Sequence, residues 1–367
     1  MMLLSAFCVV IIIQLYFYLF LFRKYTSYKT TINALSEKGV SIIVAAKNEA
    51  INLPHLLPAL ANQNFPVFEI ILVNDASSDD TYSQMNSFKE LHKEDRFEIT
   101  ILSLDPEQSA GKKHALTQGI KAARFEHLLL TDADCKPLST DWIRKMFYSF
   151  SEKHEIVLGY GAYEKIEGSW VNKLIRFETL LTAIQYFSYA LNGKAYMGVG
   201  RNLAYRKTIF KKADGFNKHT HIKSGDDDLF VSQVATAENV AICDDPKSFT
   251  LSKPHLKFSE WLRQKRRHIT TAEHYAKQVK RSLGLFYLSQ FLFYILAVVA
   301  MITKTSLGII IPLILLRFLI WYSTLYKAAD KLEEKDLWAF GPLYEISIIF
   351  IQLYIFFKNI ISPPKYW

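Results

Sequence analysis

The stretch Leu128-Leu129-Leu130-Thr131-Asp132-Ala133-Asp134 decides how this chain is read. A short apolar run ends abruptly in two carboxylates one residue apart, as a buried strand does when it delivers acids to a sheet edge. Beyond a strand end neither acid has apolar surroundings to suppress its charge, so the pair faces a cleft. Two such groups offer hard oxygen ligands to Mg²⁺ or Mn²⁺, and a metal held by so few side chains keeps room for a diphosphate. Acids after a strand also form turns and cap helices, so the neighbouring chain has to decide between these readings.

Working outward, short apolar runs at residues 40–45, 68–73, 97–102 and 127–131 alternate with amphipathic stretches at Leu53–Ala61, Thr81–Leu91 and 112–123. This alternation predicts βαβ units, hence an α/β domain with a mostly parallel sheet and helices on both faces. Ligands of such sheets bind beyond the carboxyl ends of the strands. The polar residues gather there: Ala46-Lys47-Asn48-Glu49 after the first run, Asn74-Asp75-Ala76-Ser77-Ser78-Asp79-Asp80-Thr81 after the second, and Asp132 and Asp134 after the fourth. Neither G-x-G-x-x-G after the first strand nor G-x-x-x-x-G-K-[ST] occurs, which excludes the Rossmann dinucleotide fingerprint and the P-loop.

Half of the residues are hydrophobic and 14% are aromatic, and they are unevenly spread. Residues 3–22 and 283–302 contain no charge; 307–326 contains only Arg317 and 343–357 only Glu345. Each long run can cross a hydrocarbon core of about 30 Å, and the shortest gains length from its flanks. The sequence therefore predicts an N-terminal transmembrane anchor at 1–24, a water-facing domain at 38–252, a basic interfacial segment at 253–281 and three transmembrane helices at 283–361. Arg23, Lys24 and Lys29 follow the first span, and Lys277, Lys280 and Arg281 precede the second. By the positive-inside rule the middle domain is cytoplasmic. Arg317 is expected to face a bundle interior or a polar path, and Glu345 to snorkel from near the interface. Cys8, Cys135 and Cys243 show neither disulfide nor metal spacing, as in a reducing compartment.

Taken together, Val44-Ala45-Ala46-Lys47-Asn48-Glu49, the Asn74–Thr81 run, Gly111-Lys112 and Thr131-Asp132-Ala133-Asp134 resemble, in order and spacing, a family 2 inverting glycosyltransferase with a GT-A fold. The resemblance spans residues 40–268 and implies a set of roles. Ala45, Glu49 and Asp75 would bind the substrate nucleotide, with the two carboxylates accepting hydrogen bonds from base and ribose; Asp79 is read as a helix cap. Lys112, at a helix start, would meet a phosphate or a sugar hydroxyl. Asp132 would contact ribose or metal, and Asp134 the metal, Mg²⁺ or Mn²⁺, that bridges the diphosphate.

Further along, Gly198-Val199-Gly200-Arg201-Asn202 resembles the segment under the donor sugar, which marks Gly200, Arg201 and Asn202 as substrate-binding. Asp226-Asp227-Asp228 stands where the family carries its catalytic base. Three adjacent carboxylates repel one another and raise at least one pKa, which suits a base that removes the acceptor's proton. Counting from Leu229 favours Asp226, counting from Gly225 favours Asp227, and Asp228 is read as a helix-start acid. Gln264-Lys265-Arg266-Arg267-His268 resembles Gln-x-x-Arg-Trp, with His268 in place of tryptophan; Gln264, Arg267 and His268 are thereby marked as substrate-binding.

Net charge is +9, and residues 253–281 hold nine Lys or Arg against Glu260 and Glu273. Basic residues flanking a membrane span read as contacts to anionic lipid rather than to nucleic acid. The implied protein is a bacterial plasma-membrane enzyme that moves a sugar from a nucleotide-diphosphate donor to a lipid-linked or saccharide acceptor. The alternative is a membrane scaffold or sensor that keeps the fold without the chemistry.

Overall fold

The computed structural model describes the chain apart from residues 31–37, 108–110, 223, 363 and 365–367. It divides into two compact units, Lys29–Lys165 with Gly193–Pro254, and Met1–Tyr28 with Ile166–Asn192 and His255–Trp367.

The first unit contains strands β1 (Val40–Ala46), β2 (Phe68–Asp75), β3 (Glu98–Leu104), β4 (His127–Leu130), β5 (Cys135–Pro137), β6 (Ile156–Leu158), β7 (Gly161–Tyr163), β8 (Leu203–Arg206), β9 (Val240–Ile242) and β10 (Thr250–Ser252). A seven-stranded sheet runs β3-β2-β1-β4-β8-β6-β9, and a three-stranded one β5-β10-β7. Parallel pairing joins β1 to β2, β2 to β3 and β1 to β4, as the alternation of runs predicts. The departure is β8, antiparallel to both β4 and β6. The interior strands are buried almost throughout, which explains why they read as continuous apolar runs rather than alternating ones.

The helices Leu53–Ala61, Thr81–Leu91 and Lys112–Ala122 make the crossovers. The last lies so close to the sheet that a side chain at Gly119 would meet Ile43 at 2.8 Å. Strand order places a topological switch between β1 and β4, where ligands of open α/β sheets bind. Because β8 runs antiparallel with Leu203 opposite Leu130, its entry segment Gly198–Asn202 arrives at the rim where β4 ends.

Among its described residues the second unit holds four helices long and apolar enough to cross a membrane: Met2–Thr26, Lys277–Thr303, Leu307–Lys331 and Gly341–Ile361. They coincide with the four expected spans. The helix Trp170–Leu191 belongs to the same unit, so the stretch expected as one domain over 38–252 is interrupted in space. Arg176 on that helix bonds Glu334 through Nε at 2.9 Å and Asp336 through Nη1 at 2.9 Å.

Arg317 and Glu345 form a fully buried ion pair at 2.7 Å. Gln14 accepts from Arg317 at 2.7 Å, while Gln290 (2.7 Å) and Tyr294 (2.5 Å) donate to Glu345. Glu345 therefore does not snorkel, as the sequence had suggested; a charge this deep needs a counter-ion, and the nearest one is on the preceding span.

Candidate active site

Four strand ends and one acidic run build the site. Thr131 closes β4 and donates from Oγ1 to the Arg201 carbonyl at 2.9 Å, tying the Asp132 loop to the Gly200 segment. The chain turns at once into β5, so Asp132 and Asp134 are carried on a tight reversal at the rim. Their carboxylates and the Cys135 thiol bring ligand atoms within 4.8 Å of one another. The thiol is buried and lies 2.9 Å from Ser252 Oγ. Burial first, then the Asp134 and Asp132 charges, push its pKa well above the ordinary range and keep it a neutral, soft donor. The set therefore suits a hard divalent cation on Asp132 and Asp134, with Cys135 outside the ligand shell.

Lys112 is the first residue of its helix. Gly111 before it has φ +87°, a conformation that favours glycine. Its ammonium lies 2.6 Å from Asp132 Oδ1 and 2.9 Å from Asp226 Oδ2. Burial alone would lower the Lys112 pKa; the Asp132, Asp226 and Asp227 carboxylates outweigh it and hold the group well above the lysine range. Asp132 is raised, by burial above all. For Asp226 the Lys112 charge and hydrogen bond overcome burial and lower the pKa.

The acidic run follows Gly225, at φ +93°. Asp227 accepts from the Gly200 N–H at 2.7 Å with one oxygen and from the Asp228 N–H at 2.7 Å with the other, which places it at the start of the helix Asp228–Val234. Burial, then the Asp226 and Asp228 charges, push its pKa up to about 8. The register left open by the sequence thus resolves into different surroundings: Asp226 is neutralised by Lys112, Asp227 is held against Gly200, and Asp228 begins the helix as expected.

Glu49 accepts from Asn52 Nδ2 at 2.7 Å, and its carboxyl is raised by burial, with smaller contributions from Asp134 and Asp132. Asp75 ends β2 and is buried, and Ala45 is half-buried in β1 opposite Val73. Asp79 accepts from Thr81 N at 3.0 Å and Ala50 N at 3.1 Å, so it joins two strand-end loops, in keeping with a capping role.

Arg201 turns its guanidinium over the Tyr163 ring at 4.3 Å and donates to the Ala162 carbonyl and Ser252 Oγ, both at 3.2 Å. Asn202 is 0% exposed. It donates to the Tyr160 and Ser248 carbonyls and accepts from Trp142 Nε1, so its amide braces the fold in place of the substrate contact expected of it. Gln264, Arg267 and His268 stand on the helix Phe258–Ile269 of the other unit.

Lys113 escaped the sequence reading. It is buried and donates to the His219 and Ile222 carbonyls at 2.7 and 2.8 Å, pinning the segment that leads to the acidic run. The signal was present: Lys113, Leu116 and Ile120 share the buried face of one helix, where a lysine needs partners.

Residues 41–213 match the family model described as Glycosyl transferase family 2. A poly-beta-1,6-N-acetyl-D-glucosamine synthase of Staphylococcus epidermidis is 34% identical over 97 residues, covering 26% of this chain and 22% of that protein. One of Staphylococcus aureus is 30% identical over 122 residues, covering 33% of this chain and 28% of that protein. The match thus spans less than a third of the length of these relatives. A mannosyltransferase from Pyrobaculum calidifontis, solved in complex with GDP-Man and Mn²⁺, shares the fold with a TM-score of 0.59 at 17% identity, over 90% of this chain and 96% of that one. Residues 41–213 therefore belong to a family 2 glycosyltransferase domain, the fold is that of GT-A enzymes, and the described residues include four helices long and apolar enough to cross a membrane.

Proposed function

We propose that the protein is a membrane-bound inverting glycosyltransferase that takes a sugar from a nucleoside-diphosphate donor. The observation that carries this reading is the placing of unlike carboxylates on one rim. Asp132 and Asp134 form a cation-ready pair, and Asp227 is a proton acceptor of raised pKa beside the glycine-rich segment. A divalent cation, Mg²⁺ or Mn²⁺, on Asp132 and Asp134 would neutralise charge on the leaving diphosphate.

The chain's own groups do the rest. Glu49 and Asp75 accept hydrogen bonds from base and ribose. Gly200, with no side chain, lets the sugar approach the backbone. Asp227 takes the proton of the acceptor hydroxyl as its oxygen bonds to the anomeric carbon; the bond from that carbon to the diphosphate breaks on the opposite face, which inverts the centre. A base with a pKa near working pH is both substantially deprotonated and strong enough to accept the proton. Asp226 contributes by raising Asp227, and Lys112 by confining Asp226.

Four apolar helices and the basic segment 253–281 support a lipid-linked or membrane-delivered saccharide acceptor, and basic residues flanking two of the spans support a cytoplasmic catalytic domain at the plasma membrane. The test is release of nucleoside diphosphate from a panel of UDP-, GDP- and dTDP-sugars by the purified full-length protein, with and without Mn²⁺ and membrane lipid extract. Metal-dependent release from one donor class, stimulated by lipid, is expected. No release from any donor, with folded protein, would replace this reading by the non-catalytic scaffold.

A further inference from the structure

We infer that Lys112 is a built-in counter-cation that competes with the metal for Asp132, and that metal binding hands it over to Asp226. The inference rests on the reading of Asp132 and Asp134 as the metal pair and adds a role for the lysine between that pair and the base.

A single ammonium bridges the two halves of the site, at 2.6 Å from Asp132 Oδ1 and 2.9 Å from Asp226 Oδ2. It occupies a carboxylate oxygen that a divalent cation on Asp132 would also seek. Two cations drawn to one carboxylate repel strongly at such distances, because the site is partly screened from water. The doubly charged one prevails once Asp134 adds its own oxygens. The lysine has somewhere to go: it is 39% exposed, it sits on a flexible four-carbon stem, and its other partner is already in contact.

Gly200 leaves the space for this movement. A Cβ there would lie 3.4 Å from Lys112 Nζ, 3.4 Å from Asp227 Oδ2 and 3.5 Å from Asp226 Oδ2, directly over the three groups. Without the metal, Lys112 divides itself between Asp132 and Asp226 and keeps the acidic rim from being left without a counter-charge. With the metal, the Asp132 contact is lost and Lys112 turns wholly to the acidic run. Metal loading and the state of the base are thereby linked through one side chain, and such linkage is reciprocal.

Mn²⁺ binding to the full-length protein in detergent, without donor, tests this by electron paramagnetic resonance of the free ion. Lys112→Met removes the competitor and should tighten Mn²⁺ binding about tenfold or more, whereas Lys112→Arg keeps the charge and should stay within about twofold of the original protein. Asp134→Asn should weaken binding in every background. Unchanged or weaker Mn²⁺ binding in Lys112→Met, with dependence on Asp134 preserved, overturns the competition while leaving the metal pair in place. Binding insensitive to Asp134, or absent from all variants, overturns the metal assignment and this inference with it. Thermal unfolding of each variant establishes that the fold is intact.

Discussion

Two ion networks, one in each unit, use the same chemistry to opposite ends. In the helical unit Arg317 faces one acid, Glu345; Gln14 accepts from the guanidinium, Gln290 and Tyr294 donate to the carboxylate, and the guanidinium lies 4.7 Å over the Phe293 ring. One charge meets one charge and both are buried, so no net charge is left over. In the catalytic unit Lys112 meets Asp132 and Asp226 while Asp134, Asp227 and Asp228 belong to the same acidic rim. There the negative charge is in excess and partly open to water. A network whose charges cancel holds a fold together, because breaking it strands a buried ion. One with surplus charge is poised for a ligand that supplies the missing sign.

This contrast can be broken, and the largest effect belongs to the surplus side. Asp227→Asn should lower transfer by about 10³-fold, within the range expected for loss of a general base, while unfolding temperature holds or rises because a crowded carboxylate has gone. Turnover that survives in this variant would move the base to Asp226. On the balanced side, Arg317→Met should destabilise the protein by about 3 kcal/mol because Glu345 stays buried without a counter-ion. Combining Arg317→Met with Glu345→Leu should recover most of that loss, as read by thermal unfolding in detergent. A double variant no better than the single one would mean that the pair does more than hold helices together.

The pH profile sharpens the catalytic half. With Asp227 as the proposed base and its pKa pushed up to about 8, the deprotonated fraction grows through that value, so transfer should rise with pH and level off above it. Asp226→Asn removes one of the charges that raise Asp227, and the rising limb should move to lower pH. A limb that stays in place would deny the coupling of the two acids. The smallest effect is expected at Gly200→Ala. The added methyl fits at ordinary contact distance, so the fold should be kept, while KM for the donor rises ~3–10-fold as space over the acids is filled, the loss of about 1 kcal/mol of binding.

Much of this was legible in the chain itself. The runs at 40–45, 68–73 and 127–131 became β1, β2 and β4 almost residue for residue, since a strand buried on both faces has to be written in apolar residues. The membrane helices were legible for a related reason: length and apolarity are the whole signal. Helix Trp170–Leu191 was not. Its moderately apolar, mixed composition resembles that of a helix in a soluble domain, and only long-range contacts, such as Arg176 with Glu334 and Asp336, Tyr189 with Ser282 and Phe177 with Tyr344, assign it to the helical unit.

At the site, the sequence by itself determined which chemistry gathers at the strand ends: acids after β2 and β4, a lysine opening a helix, a glycine-rich approach and a run of three aspartates. Spacing and local propensity suffice for that. Which aspartate meets Lys112 and which meets the Gly200 N–H, that Asn202 turns inward, and that Glu345 finds Arg317 were decided only by the tertiary structure. Those contacts join groups far apart in the chain, and a run such as Asp226-Asp227-Asp228 carries no local difference until the fold gives each carboxylate a different neighbour.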